Sequence, residues 1–148
     1  MFHKIKSISA LNEFKLSVQF CEGVTKIYDV TPLFEKLPVF AYLKNKPEEF
    51  SQVFVDMGGY GVVWNDELDL SCDELWEHGE QISTPFDGLL SFADAAELWG
   101  LNESTLRKAV ACGKLVSGCD VCKFGKQWVV SAQAMKREYG EAGQKKPA

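Results

Sequence analysis

The chain has 148 residues, enough for one ordinary domain or two small ones. Its 46% hydrophobic and 25% charged content is that of a soluble globular protein, and no apolar run approaches the length of a membrane span. The net charge of −5 is unevenly placed: fourteen acids face seven bases up to Ile82, whereas nine bases face seven acids from Ser83 onward, so the first part should repel nucleic acid and the second attract it weakly.

Met1-Phe2-His3-Lys4 leads into a strand pattern rather than a signal-peptide core, which makes the cytoplasm the expected location. Five cysteines, an odd number without an export signal, read as reduced thiols. His3 to Ser9, Lys15 to Phe20 and Val24 to Val30 predict strands, the last two joined at Glu22-Gly23 as a hairpin. Thr31-Pro32 predicts a short helix, threonine capping and proline at its first position, with Phe34, Leu37 and Phe40 turned to the core. A second short helix is expected at Pro47. Val53 to Asp56 and Gly61 to Trp64 predict strands about Gly58-Gly59, and Leu68 to Leu70 one more. Ser71-Cys72-Asp73-Glu74 spells a capping box opening a helix through His78, closed by Gly79. Residues 1–82 therefore predict an acidic α+β domain built on a small antiparallel sheet with short helices. Glu80 to Gly88 lacks periodicity and carries turn formers, which puts a linker at 83–90, with room for Ile82 and Phe86 to dock one module on the other.

Ser91 caps the next helix, with Asp94 at the third position. Phe92, Ala95, Ala96 and Trp99 form its apolar stripe, and Gly100 ends it because glycine takes the left-handed conformation at little steric cost. Asn102 caps a second helix whose Leu106, Ala109 and Val110 face inward. Its outward row is Ser104, Arg107, Lys108 and Ala111, small residues beside two cations, which suits a major groove. Gly113-Lys114-Leu115 closes this helix. Val121 to Phe124 and Gln127 to Val130 then predict a hairpin about Gly125-Lys126, its tip carrying Lys123 and Lys126 within reach of a phosphate. Ser131 caps a last amphipathic helix, Ala132 to Tyr139. A mainly helical winged helix-turn-helix is thus expected over 91–140, followed by a mobile tail at 141–148.

At Ala95-Ala96…Gly100, Ser104-Thr105, Gly113-Lys114-Leu115 and Gly125…Trp128 the chain resembles the excisionase-type and mercury-resistance-regulator-type winged helix domains. The resemblance implies groove contacts from Ser104, Thr105, Arg107 and Lys108, and backbone contacts from Lys114, Lys123 and Lys126. The run Gly58-Gly59-Tyr60-Gly61-Val62-Val63-Trp64-Asn65-Asp66-Glu67-Leu68-Asp69-Leu70-Ser71 resembles the bacterial domain of unknown function 2442. His3-Lys4-Ile5-Lys6, Tyr28-Asp29-Val30 and Pro32-Leu33-Phe34 are similar to it too. This second resemblance implies a fold without an established reaction, and a role in a toxin–antitoxin-like pair with a small protein partner.

Other signals carry simpler explanations. Asp66, Glu67, Asp69, Asp73 and Glu74 are hard oxygen ligands, but their spacing lacks the glycine of a calcium loop. Asp73 and Glu74 suit a helix start, and Asn65-Asp66 a turn. Cys119 and Cys122, with Cys112, fall one thiol short of a zinc site, and free cysteines, buried or half-buried, are expected instead. His3 and His78 stand apart, and Gly58 to Gly61 lacks the lysine and helix of a phosphate loop. No catalytic residue, cofactor or metal is called for. An exposed Tyr60 or Trp64, with Asp66, Glu67 and Asp69 nearby, would make a partner-binding face.

The sequence therefore predicts an α+β protein that is no enzyme. It is a transcriptional regulator or antitoxin that binds double-stranded DNA as a homodimer, its first domain taking a protein partner or signal. Its alternative is an interaction adaptor without DNA binding, and a metal-dependent enzyme rests on the acidic cluster alone.

Overall fold

The computed structural model describes residues 2–142; of the expected tail, 143–148 lie outside the described residues. The chain forms two compact units, Met1–Pro85 and Phe86–Ala148.

The first unit begins as an antiparallel meander of β1 (Ile5–Leu11), β2 (Lys15–Phe20) and β3 (Thr25–Asp29). Period-two alternation sends Leu16, Val18 and Phe20 of β2 entirely into the core, while Lys15, Ser17 and Gln19 stay part-exposed on the other face. β1 and β2 meet through Asn12–Phe14, where Glu13 and Phe14 take φ of 63° and 58°, left-handed values that L side chains seldom adopt.

Next come α1 (Leu33–Lys36), a 3₁₀ run at Pro38–Asn45 that the sequence did not reveal, and α2 (Pro47–Phe50). Thr31 does not cap α1. Its amide and hydroxyl both donate to Asp29, and Pro32 stands at the cap position. Leu33 and Phe40 are buried and Phe34 half-buried, but Leu37, expected in the core, is exposed because the helix has already ended there.

A second sheet follows from β4 (Phe54–Val55), β5 (Gly61–Asn65) and β6 (Leu68–Ser71), in that order. It leads to α3 (Cys72–His78), capped by Ser71, whose Oγ accepts from the Glu74 amide. The reciprocal half of the expected capping box is replaced: the Glu74 carboxylate accepts from Tyr28 Oη at 2.7 Å and lies 3.1 Å from His78 Nδ1. Burial, then the bond to Glu74, raises the Tyr28 pKa well above its ordinary value. β7 (Glu80–Ile82) then pairs with β3, completing the sheet order β1-β2-β3-β7.

Rings fill this core. Phe14 meets Phe34 and Phe50 edge-on at 5.3 and 5.2 Å, Phe40 and Phe50 each lie 5.8 Å from Trp64, and Phe20 meets Trp76 at 4.9 Å. These are the separations at which aromatic pairs attract.

The second unit opens with β8 (Leu89–Ser91), followed by α4 (Phe92–Trp99), α5 (Glu103–Ala111), β9 (Val121–Phe124), β10 (Gln127–Ser131) and α6 (Ala132–Tyr139). Its antiparallel sheet runs β8-β10-β9. The unit sets helices on a sheet that is wider than the expected hairpin, because Leu89 and Leu90 of the expected linker form an edge strand on β10. Its core is small and largely aliphatic: Leu90, Ala95, Ala96, Leu106, Ala109, Leu115, Val121, Val130, Ala134 and Met135, with Phe92 and Tyr139 as its buried rings. The protein is α+β throughout. Among the described residues no helix is long and apolar enough to cross a membrane.

Candidate nucleic-acid interface

The helix pair is set by its ends. Ser91 Oγ accepts from the Asp94 amide at 3.1 Å, so serine caps α4 as its sequence suggests. At the far end Gly100 adopts φ 66°, ψ 35°. Its amide bonds Glu97 O, and the Leu101 amide reaches back to Ala96 O at 2.8 Å. This pair of bonds is a Schellman stop, which turns the chain sharply into α5. Asn102 holds the cap position of α5 with extended backbone, but its side chain makes no cap bond.

On α5, Leu106 and Ala109 are buried and Val110 and Thr105 half-buried, while Ser104, Arg107, Lys108 and Ala111 are exposed in one row. Among the described residues Arg107 and Lys108 form no ion pair, so both cations stand free toward solvent. Beyond the helix, Leu115 is fully buried and its amide bonds Ala109 O. Lys114 is exposed with its ammonium 4.3 Å from the centre of the Tyr139 ring, a cation–π contact that orders the side chain.

The hairpin strands are those the sequence predicts, extended at the end by Ser131, with Gly125 and Lys126 as the two-residue turn. Lys123 pairs across the strands with Trp128, which stacks on Phe92 at 5.7 Å. Phe124 pairs with Gln127 on the opposite face. Lys123, Phe124, Lys126 and Gln127 are all exposed.

The base of the hairpin is braced from α6, whose Ser131 cap accepts from the Ala134 amide at 3.0 Å. Arg137 donates to both oxygens of Asp120, at 3.0 and 2.7 Å, and Asp120 Oδ2 also accepts from the Val116 amide. The bonds from Arg137, then from Val116, hold the Asp120 carboxyl well below its usual range, at about 2. Asp120 is thus a neutralised acid beside the basic hairpin, and Arg137 is occupied by it and by Glu138. These two residues lie seventeen positions apart, and no local pattern announces the pair.

Cys112, Cys119 and Cys122 are exposed and Cys21 and Cys72 are half-buried and buried; the expectation that the first three are at least half-buried is corrected. The three exposed ones lie at the C-cap of α5, on the loop before β9 and on an edge strand. Among the described residues no three His, Cys, Asp or Glu side chains gather where a metal could be held.

In the first unit Tyr60, Asp66, Glu67 and Asp69 are exposed. Trp64, considered above as a surface residue, is only 9% exposed, and its indole N–H donates to Phe50 O at 2.9 Å. It shares a strand face with buried Val62, an alternation that was readable. Asn65 Oδ1 accepts from the amides of Glu67 and Leu68, the expected turn.

The segment around Tyr60 is pinned. Asp56 Oδ1 accepts from the Tyr60 amide, and the Asp56 amide and carbonyl bond Gly61 O and Gly59 N–H. Gly59 O accepts from the Ile5 amide at 2.8 Å, and a Cβ on Gly59 would lie 2.7 Å from Ile5 O, so only glycine fits. Met57, marked by no pattern in the sequence, stands on this loop 97% exposed, with Phe2, Phe54 and Tyr60 exposed as well. Phe2 meets Tyr60 at 5.3 Å.

A family model described as protein of unknown function (DUF2442) matches residues 5–81, just over half of the chain. The chain belongs to that family. A helix-turn-helix domain model matches residues 82–144. A crystal structure of a proposed DNA-binding protein from Nitrosomonas europaea is similar at 21% identity over 76% of this chain and 78% of that one, with a TM-score of 0.47. No curated protein matches the chain.

Proposed function

We propose that the protein is a DNA-binding regulator, of transcription or of an antitoxin kind, whose second unit reads duplex DNA as a winged helix-turn-helix. The observation that carries this reading is the outer row of α5. Ser104, Arg107 and Lys108 are exposed on a helix fixed from behind by Leu106 and Ala109, so two cations with no ion pair among the described residues, and a hydroxyl, project from a packed support. Thr105, half-buried, borders the same surface. Lys114, Lys123 and Lys126 supply phosphate contacts, which position a protein on DNA without reading its sequence. With Asp120 neutralised, the acid nearest the hairpin opposes them little. A modest charge excess implies modest affinity per copy, and a homodimer on paired half-sites supplies the rest.

The first unit serves in this reading to bind a protein partner through Tyr60 and the exposed acids Asp66, Glu67 and Asp69. One observation favours an adaptor role as the second reading: a loop pinned by its own hydrogen bonds displays Met57 to solvent, and exposed apolar groups on a rigid support mark interaction sites.

Fluorescence anisotropy tests the first reading, with duplex DNA from the region upstream of the chain's own reading frame at low and moderate salt. Saturable binding is expected, falling with salt and weakened at least about tenfold in the Arg107→Ala, Lys108→Ala double variant. Absence of binding at low salt would overturn it and leave the adaptor.

A further inference from the structure

We infer that Phe124 is an apolar wedge of the hairpin tip, inserted between base pairs in the minor groove of duplex DNA. The inference rests on the DNA-binding reading and adds a contact that charge alone does not provide.

Phe124 is 62% exposed at the last position of β9. Val121 is core, and Lys123 reaches over Trp128, its ammonium 5.7 Å from the ring centre. The cross-strand partner of Phe124 is Gln127, a polar side chain that covers little of a ring. The two-residue turn follows at once, so the ring stands at the very end of the hairpin, next to Lys126 in the turn and on the face opposite Lys123. The backbone beneath it is fixed: Gly118 N–H bonds Val121 O at 2.7 Å, the Ser131 amide bonds Asp120 O, and Arg137 clamps Asp120.

A bare phenyl ring beside the turn cation Lys126, on a hairpin whose other face carries Lys123 over Trp128, is complementary to one surface above others. Lysines attract the phosphates that border a groove, and the ring gains by leaving water only if it enters the stack between them. Side chains of this kind unstack one base step and bend the duplex, most readily at flexible pyrimidine–purine steps. A protein-binding role for the same ring would leave the exposed cation of Lys126 in the adjoining turn unused.

The test uses the full chain with two short duplexes, one A·T-rich with 2-aminopurine at a central TA step and one G·C-rich. Wild-type protein should bind the first more tightly and raise its 2-aminopurine fluorescence several-fold as the base unstacks. Phe124→Ala should lose that signal and about tenfold in affinity, the size of one aromatic–base contact, while the salt dependence of binding stays unchanged. Phe124→Leu, still apolar, should keep most of both. Lys123→Ala, Lys126→Ala should do the reverse, reducing the salt slope. Binding by wild type that Phe124→Ala leaves intact, or a silent 2-aminopurine, would overturn the wedge alone and point Phe124 toward a protein contact. No binding of either duplex by wild type would overturn the DNA reading together with it.

Discussion

The two units solve the same packing problem with different materials. In Met1–Pro85 the interior is rich in rings, with Phe14, Phe34, Phe40, Phe50 and Trp64 linked by edge or stacked contacts and Phe20 meeting Trp76. In Phe86–Ala148 half of the buried positions on the helices are alanine, with Leu106 and Met135 between them and Phe92 and Tyr139 as the buried rings. Rings fill space by area and tolerate several mutual orientations. Alanines let helix backbones approach closely, so the crossing of α4 and α5 is set by backbone shape and by the Schellman stop at Gly100. The first material suits a body that carries a surface loop. The second suits a pair of helices whose angle must match another object.

The comparison breaks most visibly if the cores are not separate. Leu75→Ala in the first and Leu106→Ala in the second each remove a fully buried side chain and should each cost about 2–5 kcal/mol. Thermal unfolding followed by near-ultraviolet circular dichroism should show Leu106→Ala lowering one transition while the Trp64 and Trp76 signals persist. A single transition shifted alike by both variants would merge the two cores into one.

A smaller effect separates the turns. The first unit holds Glu13 at φ 63° without a glycine, whereas the second assigns its left-handed positions to glycines. Glu13→Gly should therefore stabilise the protein by about 0.5–1 kcal/mol in urea titration, the left-handed strain of an L residue less the extra backbone entropy of glycine. A destabilised variant would mean that the Glu13 side chain makes up for its own strain.

The smallest effect concerns acid. Asp120 has its pKa depressed to about 2 from an ordinary 3.8, so its bonds contribute fully above about pH 4 and are lost as the pH falls toward 2. In Asp120→Asn the acid limb of the stability profile should flatten over that window. An unchanged profile would remove the brace from the account of the hairpin.

Most of this architecture is written locally. The Ser71, Ser91 and Ser131 caps, the Gly100 stop and the hairpin at Gly125-Lys126 each follow from a few adjacent residues, and the structure has them in place. What escaped is set from a distance. β7 and β8 are three residues each, too short to show a period, and exist because Ile27 and Val130 offer them ladder partners. The Arg137–Asp120 brace joins different elements in the same way. Trp64 was legible and misplaced: alternation with Val62 puts it inside, but a large aromatic beside an acidic turn invited a surface role. On α5 the exposed row was legible because burial and helical period agree at every position of it.

The loop at residues 56–61 divides its labour between main chain and side chains. Asp56, Gly59 and Gly61 are committed to holding the backbone, and at the two glycines any added Cβ would strike a carbonyl oxygen less than 3 Å away. Met57 touches almost nothing. Substitution at Met57 therefore leaves the frame unaltered while changing what it offers, and a fixed mount with an exchangeable fitting is the arrangement through which one scaffold acquires many counterparts.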